Sequence, residues 1–201
     1  MTLPIGGRVR RLDGFVPWTC FVACTSRPML LLESKDFREF IGLLNSHRVK
    51  FVIVGGHAVT FHGNPRFTAD LDVWVATDPG NALRVEQAVK DFGIGRLFKA
   101  GDFSKPGCAV QLGRQPYRID ILTSIEAVDF AAAYKRRRVL KAGALELPFI
   151  GLAELLVNKR ATGRRHDLDD AEKLEAGLHK KKKEPIAVRH RKRKPARPTN
   201  R

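Results

Sequence analysis

The sequence is poor in cysteine, in acidic residues and in long apolar runs. Three cysteines among 201 residues cannot build a disulfide framework, which favours a reducing compartment. No run approaches the roughly 18 consecutive apolar residues of a membrane-spanning helix, so we expect no membrane partner and a cytoplasmic location. Acidic residues number 21 against 37 lysines and arginines, which gives a formal net charge of +16. An excess of that size suggests a polyanionic partner such as nucleic acid.

The positive charge is concentrated at the two ends of the chain. Residues 179–201 carry 11 lysines and arginines against Glu184, a net charge of +10, together with three prolines. Such a segment cannot offset its ordering entropy by burial, so we expect a disordered basic tail that either attracts RNA or only aids solubility. Residues 1–28, with a net charge of +3, are expected to form an extension outside the fold, with Met29 as the true start. Residues 29–178 then form one nearly neutral domain.

The pattern between the two ends predicts an α/β domain with a mixed sheet flanked by helices. Ser34 precedes apolar residues at helical spacing, and a buried strand over 51–54 ends in Gly55 and Gly56, after which a short helix runs to His62. Further strands are predicted over 70–75, 108–112 and 117–122, with a β segment between 138 and 147. Further helices are predicted over 82–92, 125–132, 152–162 and 167–178.

Three aspartates stand on predicted strands. Asp70 and Asp72 are separated by one residue, so both side chains emerge on the same face of their strand, and Asp120 alternates with apolar neighbours in the same way. Adjacent carboxylates repel each other unless a cation lies between them. Upstream, the Gly55–Gly56 turn presents backbone N–H groups at the start of a helix, which suits phosphate. A phosphate-binding turn with three strand-borne carboxylates is what metal-assisted nucleotide transfer requires.

The stretch VGGHAVTFHGNPRFTADLDVWV, followed later by IDIL, resembles the signature of the polymerase-β-type nucleotidyltransferase superfamily. That signature has an apolar strand, two small residues, about a dozen further residues and then Asp-x-Asp; here 13 residues separate Gly56 from Asp70. The resemblance covers residues 34–178. With Arg66 and Thr68, the arrangement is similar to small stand-alone bacterial members, including AbiEii-type toxins of type IV toxin–antitoxin systems.

The resemblance implies a role for each residue of the motif. Asp70 and Asp72 would hold two Mg²⁺ ions, and Asp120 would join the catalytic ion and help to deprotonate the acceptor hydroxyl. Gly55 and Gly56 would bind the β- and γ-phosphates of a nucleoside triphosphate (NTP). Many members carry serine at the second small position, so Gly56 is a departure that bears on nucleotide affinity or preference.

A second element lies near the C-terminal end of the predicted domain. The segment NKRATGRRHDLDDAEKL resembles the Lys…Arg…Asp-x-x-Asp element of AbiEii-type enzymes. By that resemblance Lys159 would be a phosphate ligand. The alternative is a snorkelling lysine beside a helix whose acidic first turn suits the dipole. Arg66 would either clamp phosphate or order its loop. The supporting residues would be Thr68, Arg164, Asp167 and Asp170.

These patterns together predict a Mg²⁺-dependent enzyme that transfers a nucleoside monophosphate (NMP) from an NTP to a hydroxyl. The acceptor would be RNA, with a tRNA end foremost, or a protein; the basic tail would attract RNA, and the toxin likeness implies a cognate antitoxin protein. Two alternatives stay open: a small-molecule adenylyltransferase acting on an antibiotic, and a catalytically silent RNA-binding module of the same fold. Trp74 shares the carboxylate face and would either stack a base or pack. His57 and His62 are expected to be structural.

Overall fold

The computed structural model describes residues 31–94, 97–114 and 117–183. The predicted extension 1–28 and residues 184–201 of the predicted tail lie outside the described residues. In chain order the elements are α1 (Lys35–Ser46), β1 (Phe51–Ile53), α2 (Gly55–Phe61), β2 (Asp70–Val75), α3 (Pro79–Val89), α4 (Ala100–Phe103), β3 (Ala109–Arg114), β4 (Tyr117–Leu122), α5 (Phe130–Arg136), β5 (Arg138–Ala142), β6 (Leu145–Phe149), α6 (Leu152–Thr162) and α7 (Arg165–Lys183).

The strands form one six-stranded mixed sheet in the order β3-β4-β2-β1-β6-β5. The pairs β2–β4 and β1–β6 are parallel, whereas β1–β2, β3–β4 and β5–β6 are antiparallel. Parallel neighbours require crossover connections, and helices supply them and cover the sheet. The predicted α/β class with a mixed sheet is therefore confirmed.

Helix α1 forms for the reasons that its sequence indicates. The Ser34 side chain accepts a hydrogen bond from the Phe37 backbone N–H at 3.4 Å and caps the helix. The apolar residues at positions i, i+3, i+4 and i+7 are all buried in the core, namely Phe37, Phe40, Ile41 and Leu44. Burial of four such side chains, at about 1.5–3 kcal/mol each before entropy is counted, holds α1 on the sheet.

Strand β2 divides its side chains between the core and a cleft. Leu71 and Val73 are fully buried, whereas Asp70 and Asp72 on the opposite face are only partly buried. Farther along the strand, Trp74 is also buried and packs edge-to-face against Phe130, with ring centroids 4.9 Å apart. Trp74 is therefore a packing residue, and stacking of a base on it is not supported.

Several element boundaries differ from the predictions. The helix predicted over 82–92 is α3, which begins at Pro79 and ends at Val89. The helix predicted over 125–132 is α5, which begins at Phe130 because the Asp129 carboxylate accepts from the Ala132 backbone N–H at 2.8 Å and caps it. The single β segment predicted between 138 and 147 is the hairpin β5–β6. Helix α7 begins two residues earlier and ends five residues later than predicted, so residues 179–183 continue a helix. Lysines suit a helix C-terminus, which explains the continuation. Among the described residues, no helix has both the length and the apolar character to cross a membrane.

Candidate functional site

A polar cleft of about 680 Å³ opens where β2 and β4 begin and where β1 passes into α2. Ten of the eleven residues predicted for the site line this cleft: Gly55, Gly56, Arg66, Thr68, Asp70, Asp72, Asp120, Lys159, Arg164 and Asp167. The eleventh, Asp170, is buried behind the wall and contacts two of them. Residues from distant parts of the sequence thus meet in one place.

Strand register brings the three carboxylates together. In the parallel pair β2–β4, Asp70 lies opposite Arg118 and Asp72 lies opposite Asp120. Because alternate residues share a face, all four side chains project from the same side of the sheet. Asp120 is the most buried of the three acids, with 8% of its surface exposed. The prediction that strand-borne aspartates share one face is therefore confirmed.

Sequence reasoning missed Arg118, which lies among these acids. Its Nη2 donates to Asp70 Oδ2 at 3.0 Å and to Asp120 Oδ2 at 2.9 Å. Its Nε lies 2.9 Å from Asp120 Oδ1 but does not meet hydrogen-bond geometry, so both of those buried atoms lack a hydrogen-bond partner. The two carboxylates raise the pKa of Arg118 further above its usual value. The same alternation that placed Asp120 would have identified this residue, two positions earlier.

The acids leave an excess of negative charge at Asp72. Burial, then the carboxylates of Asp120 and Asp70, raise its pKa from 3.8 to about 6, against the opposing pull of Lys159 and Arg118. Near neutral pH this carboxylate is ionised at a cost in free energy. A cation in contact with Asp72 would relieve that cost.

The two glycines of the turn are required by what approaches them. Gly55 has a φ of +61°, and a side chain there would overlap the carboxylate of Asp72. A Cβ on Gly56 would lie 2.6 Å from Thr68 Oγ1 and 2.7 Å from Thr68 Cβ. The Thr68 side chain thus fills the space that a side chain at position 56 would need. This contact explains why position 56 is glycine, whereas many members of the superfamily that the sequence resembles carry serine there.

Lys159 belongs to a buried network of paired charges. Its Nζ donates to Asp167 Oδ1 and lies 3.3 Å from Asp170 Oδ2, and all three side chains are at least nine-tenths buried. Asp170 Oδ2 also accepts from Arg66 Nε at 3.2 Å. The network joins α6 and α7 to the loop that leads into β2. The structure therefore places Lys159 in the cleft wall with two carboxylate partners, whereas Arg164 lines the cleft without belonging to this network.

The carboxylate oxygens of the site suit a hard divalent cation, although the side chains as they lie do not converge on one point. Carboxylate oxygens are the ligands that Mg²⁺ prefers, and Asp120 Oδ1 is buried without a hydrogen bond. Among the described residues, no three His, Cys, Asp or Glu side chains converge into a ligand cluster. The Arg118 guanidinium lies between two of the acids, since its Nη2 donates to both Asp70 and Asp120.

Comparisons with known proteins yield likeness to solved structures alone. No family model matches the chain, and no curated protein matches it. The chain is similar to a solved structure from Thermotoga maritima described as a "putative nucleotidyltransferase", with 18% identity and a TM-score of 0.47, over 80% of this chain and 99% of that one. At these values the likeness carries nothing about substrate, metal or acceptor.

Proposed function

We propose that this chain is a Mg²⁺-dependent nucleotidyltransferase that moves NMP from an NTP to an acceptor hydroxyl and releases pyrophosphate. The observation that carries the proposal is the cluster of Asp70, Asp72 and Asp120. Strand register holds these three acids on one face, in a cleft that also contains the Gly55–Gly56 turn. A module that only binds RNA has no need to hold three repelling carboxylates together. Burial, and then the carboxylates of Asp120 and Asp70, raise the pKa of Asp72 to about 6.

Asp70, Asp72 and Asp120 would hold the metal ions. Bound there, Mg²⁺ would neutralise triphosphate charge and favour ionisation of the acceptor hydroxyl. Arg118 would leave Asp70 and Asp120 and stay in the cleft as a cation for a phosphate oxygen, since a guanidinium binds carboxylate and phosphate with the same geometry.

Other groups of the chain would bind the phosphates and accept the proton of the acceptor hydroxyl. The backbone of Gly55 and Gly56 would approach the β- and γ-phosphates, with the Thr68 hydroxyl beside it. Asp120 accepts the hydroxyl proton as the acceptor oxygen attacks the α-phosphorus. The bond between the α-phosphorus and the bridging oxygen breaks, and pyrophosphate leaves in line.

Lys159, Arg66, Asp167 and Asp170 would act mainly as positioning residues. Lys159 has contacts to two carboxylates and retains one further N–H for a phosphate oxygen at the cleft wall. Arg66 is tied to Asp170 and lies against the Gly56–Thr68 contact. The network thereby fixes the loop that precedes Asp70. Arg164 lines the cleft outside this network and is offered as a second phosphate contact.

RNA is the acceptor that the charge distribution favours. The segment 179–201 carries a net charge of +10 against +3 for residues 29–178, so a polyanion would gather near the end of α7. Deletion of residues 184–201 should weaken RNA binding at low salt, reduce the dependence of binding on salt, and leave the chemical step intact. By likeness to toxin-type members, a cognate antitoxin protein is a further proposed partner.

The test is incubation of the protein with each labelled NTP, Mg²⁺ and total tRNA. We expect label on RNA, and we expect Asp72→Asn to abolish it while circular dichroism shows an intact fold. Label on an aminoglycoside or lincosamide instead would support the small-molecule alternative. No transfer to any acceptor, with RNA binding unchanged in Asp72→Asn, would refute the proposal and favour a silent binding module.

A further inference from the structure

A second cavity, of about 380 Å³, adjoins the carboxylate cleft. We call it the aromatic recess, because Phe37, Phe67 and Tyr117 line it. It shares the side chains of Arg66 and Thr68 with the cleft, so the two cavities have one wall in common. Its volume falls within the range of small-ligand pockets.

The rim of the recess exposes two aromatic rings. Phe67 is 85% exposed and Tyr117 is 53% exposed. In the described part of the chain, these are the two aromatic residues among the large hydrophobic side chains that remain exposed, and both line this one cavity. Phe37 forms the floor and meets the Tyr117 ring edge-to-face, with centroids 6.1 Å apart. Exposed rings around a concave site are suited to stacking on another flat ring.

A buried polar group also lines the recess. His57 is 7% exposed, and its Nε2 is buried without a hydrogen-bond partner. Burial, and then the charge of Arg66, lower the pKa of His57 to about 4, so its imidazole is neutral at physiological pH. A neutral imidazole offers one N–H and one lone pair. An unsatisfied buried group is costly, and a ligand edge that bonded to it after a small movement of the ring would remove that cost.

The charges around the recess do not select an anion. Glu33 and Asp36 are offset by Lys35 and Arg66, and the Arg66 guanidinium is already paired with Asp170. The adjoining cleft, with its glycine turn and Arg164, is the better place for phosphate. The recess is therefore matched to an uncharged flat group.

We propose that the aromatic recess binds a nucleobase, stacked on Phe67 and Tyr117 with its polar edge toward His57. This inference goes beyond the proposed function, because binding of an uncharged ring requires neither a metal nor transfer in the cleft. The base could belong to the incoming nucleotide or to the end of an RNA acceptor, and both sources present the same chemistry at the wall shared by the two cavities.

The experiment titrates the full chain with adenosine, guanosine, cytidine and uridine, in EDTA. The readout is the NMR signals of ¹³C-labelled Phe, Tyr and His rings. We expect at least one nucleoside to shift the signals of Phe67, Tyr117 and His57 in a saturable way. Phe67→Ala and Tyr117→Ala should each weaken its affinity about tenfold. Leu97→Ala, a control at a 73% exposed residue outside the recess, should not. His57→Phe keeps a flat ring without the nitrogen and should reduce discrimination among the four bases.

Two further arms identify the source of the base. If it comes from the nucleotide, Phe67→Ala weakens NTP binding and leaves inorganic tripolyphosphate binding unchanged. If it comes from the acceptor, Phe67→Ala weakens binding of a short RNA and leaves NTP binding unchanged. Failure of all four nucleosides to bind, or unchanged affinity in both aromatic variants, would overturn the inference. Nucleosides carry no phosphate, so nucleoside binding without any label transfer would sink the proposed function alone.

Discussion

Two clusters of charged side chains border the cleft, and they differ in the balance between acidic and basic groups. On the strands, Arg118 donates to Asp70 and Asp120, while burial and these two carboxylates raise the pKa of Asp72 to about 6. On the helices, Asp167 and Asp170 meet two cations, Lys159 and Arg66, and the charges balance.

We expect this difference to separate a structural cluster from a functional one. A balanced buried network satisfies its own charges and holds elements in place, although it need not stabilise the fold more than apolar residues would. An unbalanced cluster weakens the fold unless another cation arrives. We therefore expect variants of the strand cluster to affect activity, and variants of the helix cluster to affect stability.

The largest expected effect comes from removing one acid of the strand cluster. Asp72→Asn and Asp120→Asn should each lower the rate of nucleotidyl transfer by about 10³-fold or more, because several kcal/mol of charge stabilisation are lost. The free energy of unfolding in EDTA should not fall in Asp72→Asn, since that change relieves repulsion. Rates come from label transfer and stabilities from urea unfolding. Asp169→Asn, at an exposed position of α7, is the matched control; near-normal transfer in either cleft variant would contradict the assignment.

Removing the cation of the helix cluster should act on stability first. Lys159→Met leaves Asp167 and Asp170 buried beside a single remaining cation, so we expect a loss of about 3–5 kcal/mol in the free energy of unfolding. Lys173→Met, at an exposed position of α7, should change it by less than about 0.5 kcal/mol. Urea unfolding measures both. Equal stabilities in the two variants would show that the buried pairs do not form.

The pH dependence of stability should show the cost of ionising Asp72 in the folded protein. The folded-state pKa of Asp72, raised by burial and by its neighbouring carboxylates to about 6, lies above the usual aspartate value of 3.8, so the folded state binds a proton that the unfolded state lacks between those pH values. This residue's contribution to the free energy of unfolding should therefore increase as pH falls from about 6 to about 4, by on the order of 1–3 kcal/mol.

The measurement is the difference in unfolding free energy between wild type and Asp72→Asn in EDTA, from pH 4 to pH 8. We expect the variant to be the more stable protein above pH 6 and the two to converge near pH 4. A difference in unfolding free energy that stays constant over this range would show that folding does not raise the pKa of Asp72.

The smallest effect concerns the one cation of the strand cluster. Arg118→Met removes a group that competes for Asp70 and Asp120, so Mn²⁺, used as a probe for Mg²⁺, should bind about tenfold more tightly. Stability in EDTA should fall, because repulsion among the acids is no longer offset. Isothermal titration measures the affinity, with Arg38→Met on the exposed face of α1 as the control. Weaker Mn²⁺ binding in Arg118→Met would mean that the arginine supports the metal site instead of closing it.

Local patterns predicted most of the fold and most members of the site. Helix α1 and strands β1 and β2 follow from apolar spacing, because a helix and a strand bury residues at different periods. The alternation around Asp70, Asp72 and Asp120 was enough to assign them to one face. What the sequence could not supply was pairing between distant elements. Arg118 and Asp70 become neighbours only through the register of β2 with β4, and Arg66 meets Asp170 across 104 positions.

Side-chain volume was the other missing quantity. From the sequence alone, Gly56 is a departure whose consequence stays open. The approach of Thr68 to within 2.6 Å of where a Cβ would be explains it, and that approach depends on how the loop before β2 folds back over α2. The aromatic recess was missed for the same reason, since its walls come from α1, α2, a loop and the first residue of β4.

The direct pairing of Asp72 with Asp120 across two parallel strands fixes the distance between the two acids. Neighbouring strands are about 4.8 Å apart in any sheet, so the spacing of the two acids is set by the backbone and not by the 41 residues, 76–116, that join their strands. That connection, with α3, α4 and β3, is therefore free to lengthen, shorten or change its outer surface without moving the two acids relative to each other. The sequence of this connection can diverge while the spacing of the two acids stays the same.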